Sequence, residues 1–177
     1  MRYLLGLLGS AVLLFASGEL SGRRAPGFSL PDLHLKQHDL QDYRGKIVIL
    51  DIIQTTCPHC QQLADLLEKV QAKYGDKVAV LSIALPPDTQ ATVAKFAAEH
   101  KVTGPLLFDC GQVSVSYLKA TPQNPKADVP HLFLIDGQGT IRNDFGYGFD
   151  TRNIFEGDGL DPEIDRLLGG PAPAKKP

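Results

Sequence analysis

Cys57 and Cys60 stand two residues apart in the run Cys57-Pro58-His59-Cys60. At that spacing two thiols can close a small disulfide ring. A helix beginning at the first of them would aim its free amides and its dipole at that sulfur, which favours a thiolate. Reversible dithiol–disulfide exchange needs this combination. Cys57 is therefore the expected nucleophile, and Cys60, one turn further in, the thiol that resolves the mixed disulfide. A purely structural disulfide is the bland alternative, but so tight a loop adds little stability through chain entropy. His59 lies in the same turn, and a protonated imidazole there would stabilise the thiolate. Stabilising the reduced form makes such a pair more oxidising.

Asp51 sits in an otherwise apolar stretch just upstream, where a carboxylate is costly unless it has a role. It is expected to take the proton from Cys60, directly or through water; the alternative is a strand-end acid paired locally or exposed. Cys110 follows a predicted strand and is expected to be a buried free thiol, with a second exchange partner or an intermolecular disulfide as the other readings.

Positioning such a pair takes a strand that delivers the motif and a helix that begins on it. Ile47-Val48-Ile49-Leu50-Asp51-Ile52-Ile53 reads as a buried strand. After the motif, Leu63, Leu66, Leu67, Val70 and Tyr74 fall on one face of a helix that Gly75-Asp76 ends, and Pro58 suits its first position. Lys77 to Leu85 is a second buried strand, and Pro86-Pro87-Asp88-Thr89 breaks the chain and caps a helix over 89–100. A strand at 106–108, a short helix over 112–118, a polar loop over 120–128 and a hairpin of 131–136 with 140–142 follow. Asp161-Pro162-Glu163 opens a last helix, with Asp161 as its cap. This order implies a mixed sheet with helices on both faces.

The chain has 177 residues, which suits one domain. A formal net charge of -2 provides no basic surface, so nucleic acid is excluded as a partner. Arg2, the apolar run Leu4–Ala16 and the small residues Ala16-Ser17-Gly18 read as a secretory signal over 1–18. The run falls short of the roughly 20 residues a spanning helix needs. An uncleaved anchor is the alternative, and only then is a membrane involved. Either way the folded part is expected outside the cytoplasm, periplasmic or secreted, where disulfides persist. Residues 19–24 are read as linker, 25–169 as the folded domain and 170–177 as a disordered tail.

Three stretches carry a family resemblance: Ala25-Pro26-Gly27-Phe28-Ser29-Leu30-Pro31-Asp32-Leu33, Tyr43-Arg44-Gly45-Lys46-Ile47-Val48-Ile49-Leu50 with the cysteine motif, and Val129-Pro130-His131-Leu132-Phe133-Leu134-Ile135-Asp136. Together they resemble the thioredoxin superfamily, in its secreted TlpA/ResA-like branch with an AhpC/TSA-type N-terminal extension. The resemblance implies an α/β fold, a thioredoxin-like three-layer α/β/α sandwich with a central mixed sheet. It implies an enzyme, a thiol-disulfide oxidoreductase using Cys57 and Cys60, with Asp51 at the spacing of thioredoxin's buried acid. It implies a cis peptide at Pro130, and substrate contacts through Thr56, Val129, Pro130 and His131. No cofactor and no metal are implied. The implied partners are a protein thiol or disulfide substrate and an upstream thiol-disulfide electron donor or acceptor.

This chain departs from the branch in two places. Thr56 stands where Trp is usual before the first cysteine, and Leu63 replaces a buried glutamate. The branch points toward a reductase, whereas His59 points toward an oxidant. Two other functions belong to related folds. A Sco-like copper-binding chaperone would draw on Cys57, Cys60 and either His59 or His131. A peroxiredoxin-type peroxidase would need Thr or Ser three residues before its cysteine and Pro four before that, where Gln54 and Leu50 stand.

Overall fold

Ile47–Ile53 forms a strand in which all seven residues are buried, as does Val78–Ala84. Near-continuous apolar runs of this kind belong to strands covered on both faces. The computed structural model describes residues 18–170. Apart from Gly18 and Gly170, the expected signal (1–18) and the expected tail (170–177) lie outside the described residues.

In chain order the strands are β1 (Ser29–Pro31), β2 (Gln37–Asp39), β3 (Ile47–Ile53), β4 (Val78–Ala84), β5 (Leu106–Phe108), β6 (His131–Ile135) and β7 (Ile141–Gly146). The helices are α1 (Pro58–Tyr74), α2 (Gln90–Glu99), α3 (Gln112–Ser116), α4 (Arg152–Glu156) and α5 (Leu160–Leu167). β1 and β2 pair antiparallel as a separate small sheet. The main sheet runs β5-β4-β3-β6-β7; β3, β4 and β5 are mutually parallel, while β6 and β7 run antiparallel to their neighbours. This is the mixed sheet and thioredoxin-like α/β sandwich expected from the sequence.

Because side chains alternate across a strand, the sheet has two distinct faces. Ile47 and Ile49 of β3, Val78 and Val80 of β4 and Leu132 and Leu134 of β6 pack with Leu63, Leu67 and Val70 of α1 and with Ile164 of α5. Further along that face, Ile53, Ala84 and Leu106 pack with Ala64 of α1 and Val93 and Phe96 of α2. Val48, Leu50, Ile52, Leu81, Ile83 and Phe133 point the other way, against Leu20, Phe28 and Leu30 of the N-terminal arm, Val113 of α3 and Tyr117. The second outer layer is thus one short helix with the N-terminal arm. Among the described residues no helix is long and apolar enough to cross a membrane.

Within residues 19–24, read as linker, Leu20 is 6% exposed and its amide donates to Asp144 Oδ2 at 2.9 Å, and Arg24 bridges to Thr140, while Glu19, Gly22, Arg23 and Arg24 are exposed. The apolar Leu20 finds room beneath β7, which the polar residues around it did not signal. The last helix starts at Leu160 with Gly159 as its N-cap residue, so Asp161 is already inside the first turn, where it accepts from Lys73 Nζ at 2.8 Å.

Leu20→Ala tests whether residues 19–24 serve as linker or as part of the fold. If the segment is part of the fold, the variant loses about 2–5 kcal/mol in denaturant unfolding, the range for a buried leucine. A loss below about 0.5 kcal/mol, as for an exposed site, would return the segment to the status of a linker.

Candidate active site: a dithiol above a buried acid

β3 ends at Ile53, and the chain turns through Gln54-Thr55-Thr56 before α1 begins. Cys57 is the N-cap residue of α1, in extended conformation (φ -80°, ψ 118°), and Pro58 occupies the first turn, where its missing N–H is no loss. Cys57 therefore faces the free amides of the helix start. It is half-buried, whereas Cys60, one turn on, is fully buried; both are free thiols. The Val129–Pro130 peptide is cis, as expected, and the Val129 carbonyl oxygen lies 3.8 Å from Cys57 Sγ. Leu33, Phe108 and Val129, partly buried like Cys57, pack against the same apolar cluster that contains Cys60.

Asp51 lies on the α1 face of β3, fully within the protein, with only 1% of its surface exposed. Its Oδ2 accepts from Ser82 Oγ at 3.3 Å across the β3–β4 register, and its Oδ1 has no hydrogen-bond partner among the described residues. Burial raises the Asp51 carboxyl from 3.8 to about 8, and the Ser82 hydroxyl opposes the shift. Burial, and then the Asp51 carboxylate, push the Cys60 thiol far above the ordinary thiol range. Cys60 thus needs a base to become a nucleophile, and a carboxyl titrating near neutrality is poised to serve.

The turn before the dithiol is clamped from the β4–α2 connection. Asp88 accepts the Thr55 amide at 2.7 Å and also the Thr55 hydroxyl, Gln54 Nε2 donates to Pro86 O at 2.9 Å, and Gln61 Nε2 donates to Thr55 O at 2.9 Å. The sequence marked Pro86-Pro87-Asp88-Thr89 only as a break and a cap, and Thr89 does cap α2. The tie from Asp88 to Thr55 spans 33 residues, so no local pattern announced it. Ser82 was equally silent, although a polar residue opposite Asp51 in an apolar strand is a usable signal once the register is known.

The structure brings Cys57, Cys60, Asp51, His59, Thr56, Val129 and Pro130 to one end of the sheet; Thr56 is exposed beside the nucleophile. It does not bring His131. That side chain lies on the face of Phe133, stacks on its ring (4.6 Å between centroids) and pairs through Nε2 with Asp144 Oδ1 at 2.6 Å. Cys60 packs on the opposite face, among the residues covered by α1 and α2. Cys110 is exposed rather than buried. Its neighbour Asp109 takes the buried position instead, accepting the amides of Gly111, Val113 and Ser114 at 2.9–3.0 Å, and so turns Cys110 outward. At the positions relevant to a peroxidatic site, Leu50 is fully buried and the Gln54 amide is occupied by Pro86.

Residues 21–144 match the AhpC/TSA family. A thioredoxin-like protein YneN of Bacillus subtilis is 30% identical over 128 residues, covering 71% of each chain. The thiol-disulfide oxidoreductase ResA of Bacillus thuringiensis is 31% identical over 137 residues, 77% of this chain and 75% of that one. Among solved structures, one assigned provisionally as the thiol:disulfide interchange protein DsbE of Chlorobium tepidum superposes with a TM-score of 0.68 at 25% identity, over 84% of this chain and 98% of that chain. A secreted disulfide oxidoreductase of Mycobacterium tuberculosis, at 19% identity, shares the fold (TM-score 0.61, 80% of this chain and 95% of that one).

The buried acid generates a pH prediction. Folded Asp51 holds its proton up to about pH 8, whereas the unfolded chain releases it near 3.8. Between those values the native state binds more protons than the unfolded chain, so stability falls as pH rises, by at most about 1.4 kcal/mol per pH unit. Denaturant unfolding from pH 4 to 8 should show this decline in the wild type and a flatter profile in Asp51→Asn. Parallel profiles would mean that Asp51 titrates normally.

Proposed function

We propose, on the premise that this chain belongs to the AhpC/TSA family, a division of labour for its thiol-disulfide oxidoreductase activity among Cys57, Cys60 and Asp51. The observation that carries the reading is the pairing of a half-exposed thiol at a helix start with a fully buried thiol beside a buried carboxyl. Cys57, as thiolate, attacks one sulfur of a substrate protein's disulfide. A mixed disulfide forms, and one substrate thiolate leaves. Asp51 takes the proton of Cys60, whose sulfur then attacks Cys57 Sγ. The Cys57–Cys60 disulfide closes and the second substrate thiol is released. The substrate gains two electrons and the dithiol loses two; a thiol donor restores the pair by the reverse exchange. Run backwards, the same steps oxidise a substrate dithiol, and we assign reduction or general exchange as the working direction.

The cis Val129–Pro130 segment lies against Cys57 and offers backbone to an extended substrate peptide. Thr56, exposed beside Cys57, lies where that peptide would pass. The folded part is assigned to the outside of the cytoplasm, supported by the N-terminal positive charge, apolar run and small residues, and by a dithiol suited to an oxidising compartment.

Trapping tests the assignment. Cys60→Ser should accumulate a mixed disulfide with an oxidised protein substrate through Cys57, while Cys57→Ser should lose turnover by about 100-fold or more and trap nothing. Trapping through Cys60 or Cys110 would contradict the order of attack. Asp51→Asn should retain the first attack and prolong the mixed disulfide.

A further inference from the structure

α4 closes over the outer side of the dithiol turn and brings a second polar cluster to it. The His59 ring stacks on Tyr147, with centroids 4.2 Å apart and planes at 26°. Tyr147 packs edge-on against fully buried Phe155, so the platform is anchored in the core. Glu156 Oε1 accepts from the Tyr147 hydroxyl at 2.5 Å, and Oε2 accepts from Arg152 Nε at 2.6 Å. The same Oε1 stands 3.4 Å from His59 Nδ1, a buried ring nitrogen with no hydrogen bond among the described residues. The Tyr147 hydroxyl, followed by Arg152, holds the Glu156 carboxyl below the usual range, so it is ionised at neutral pH. The groups facing His59 are therefore Tyr147 and the Glu156 carboxylate, with Arg152 behind it, and Cys57 two residues away.

Arg152 and Glu156 cancel one another at a distance, while Glu156 still acts on His59 at close range. A proton on His59 then leaves one positive charge uncompensated except by a Cys57 thiolate. We infer that Tyr147 and Glu156 are positioning residues that hold the His59 imidazole beside the dithiol, so that the reduced pair keeps one of its two protons on His59 instead of Cys57. This rests on the exchange reading above. Reduction of the Cys57–Cys60 disulfide adds two electrons and two protons and breaks the S–S bond. Cys60 takes one proton, His59 the other, and Cys57 is left as thiolate. Whatever stabilises the reduced form makes the pair more oxidising, so Glu156, on a helix that carries no cysteine, sets the redox poise through His59.

A glutathione redox titration of the full chain tests this, read by mass on the peptide carrying Cys57 and Cys60 so that Cys110 does not enter. Glu156→Gln should move the equilibrium toward the disulfide by about two- to fivefold, the size of a partly exposed ion pair. In the His59→Ala background the same substitution should move it by less than about 1.5-fold, since the effect passes through the imidazole. No shift from Glu156→Gln, or an equal shift without His59, overturns the inference and leaves the exchange reading intact. A wild-type pair that never equilibrates with glutathione overturns both.

Discussion

A carboxyl and a thiol are held out of water side by side beneath α1, and the remainder of the site follows from that burial. Asp51 and Cys60 are each almost without exposed surface. Neither can carry charge cheaply there, so burial raises both, and the Asp51 carboxylate makes the ionisation of Cys60 harder still. The consequence is an ordered pair of sulfurs. Cys57 meets solvent and the helix amides, while Cys60 reacts only when a proton can be passed to its neighbour. The apolar sheet is what enforces this, because Ile49 and Ile53 flank Asp51 on the α1 face of β3 and Leu132 pairs with it in register, all three fully buried.

Around that pair the fold supplies two kinds of support. From the thiol face come the clamp of Asp88 on Thr55 and the platform under His59 made by Tyr147, just after β7, and Glu156 of α4. On the opposite face Asp144 ties two segments to β7: it accepts from the Leu20 amide, its carbonyl takes the Gly18 amide at 3.0 Å, and it pairs with His131 at the start of β6. β6 begins directly after cis-Pro130, so the N-terminal segment and the segment lying against Cys57 share one anchor.

How much of this the sequence disclosed follows from the range of each interaction. The strand Ile47–Ile53 and the helix from Pro58 were legible because periodicity and caps are local, and the cysteine motif fixed where they meet. The cis-Pro130 segment was legible through resemblance. What could not be read depends on contacts between distant residues: Asp88 with Thr55, Ser82 with Asp51, Glu156 with His59. α4 was missed because five residues give no periodicity. Cys110 was misplaced because following a strand says nothing about which way a turn residue points, and Asp109 claims the buried place beside it. The face of His131 is set by alternation along β6, which puts it beside Phe133 and within reach of Asp144.

The asymmetry between the two sulfurs is the central claim, and thiol alkylation measures it directly. Reduced protein, treated briefly with iodoacetamide at neutral pH and mapped by peptide mass, should be modified at Cys57 and at exposed Cys110, with Cys60 reacting only after denaturation. Equal labelling of Cys57 and Cys60 in the folded protein, or faster labelling of Cys60, would contradict the account.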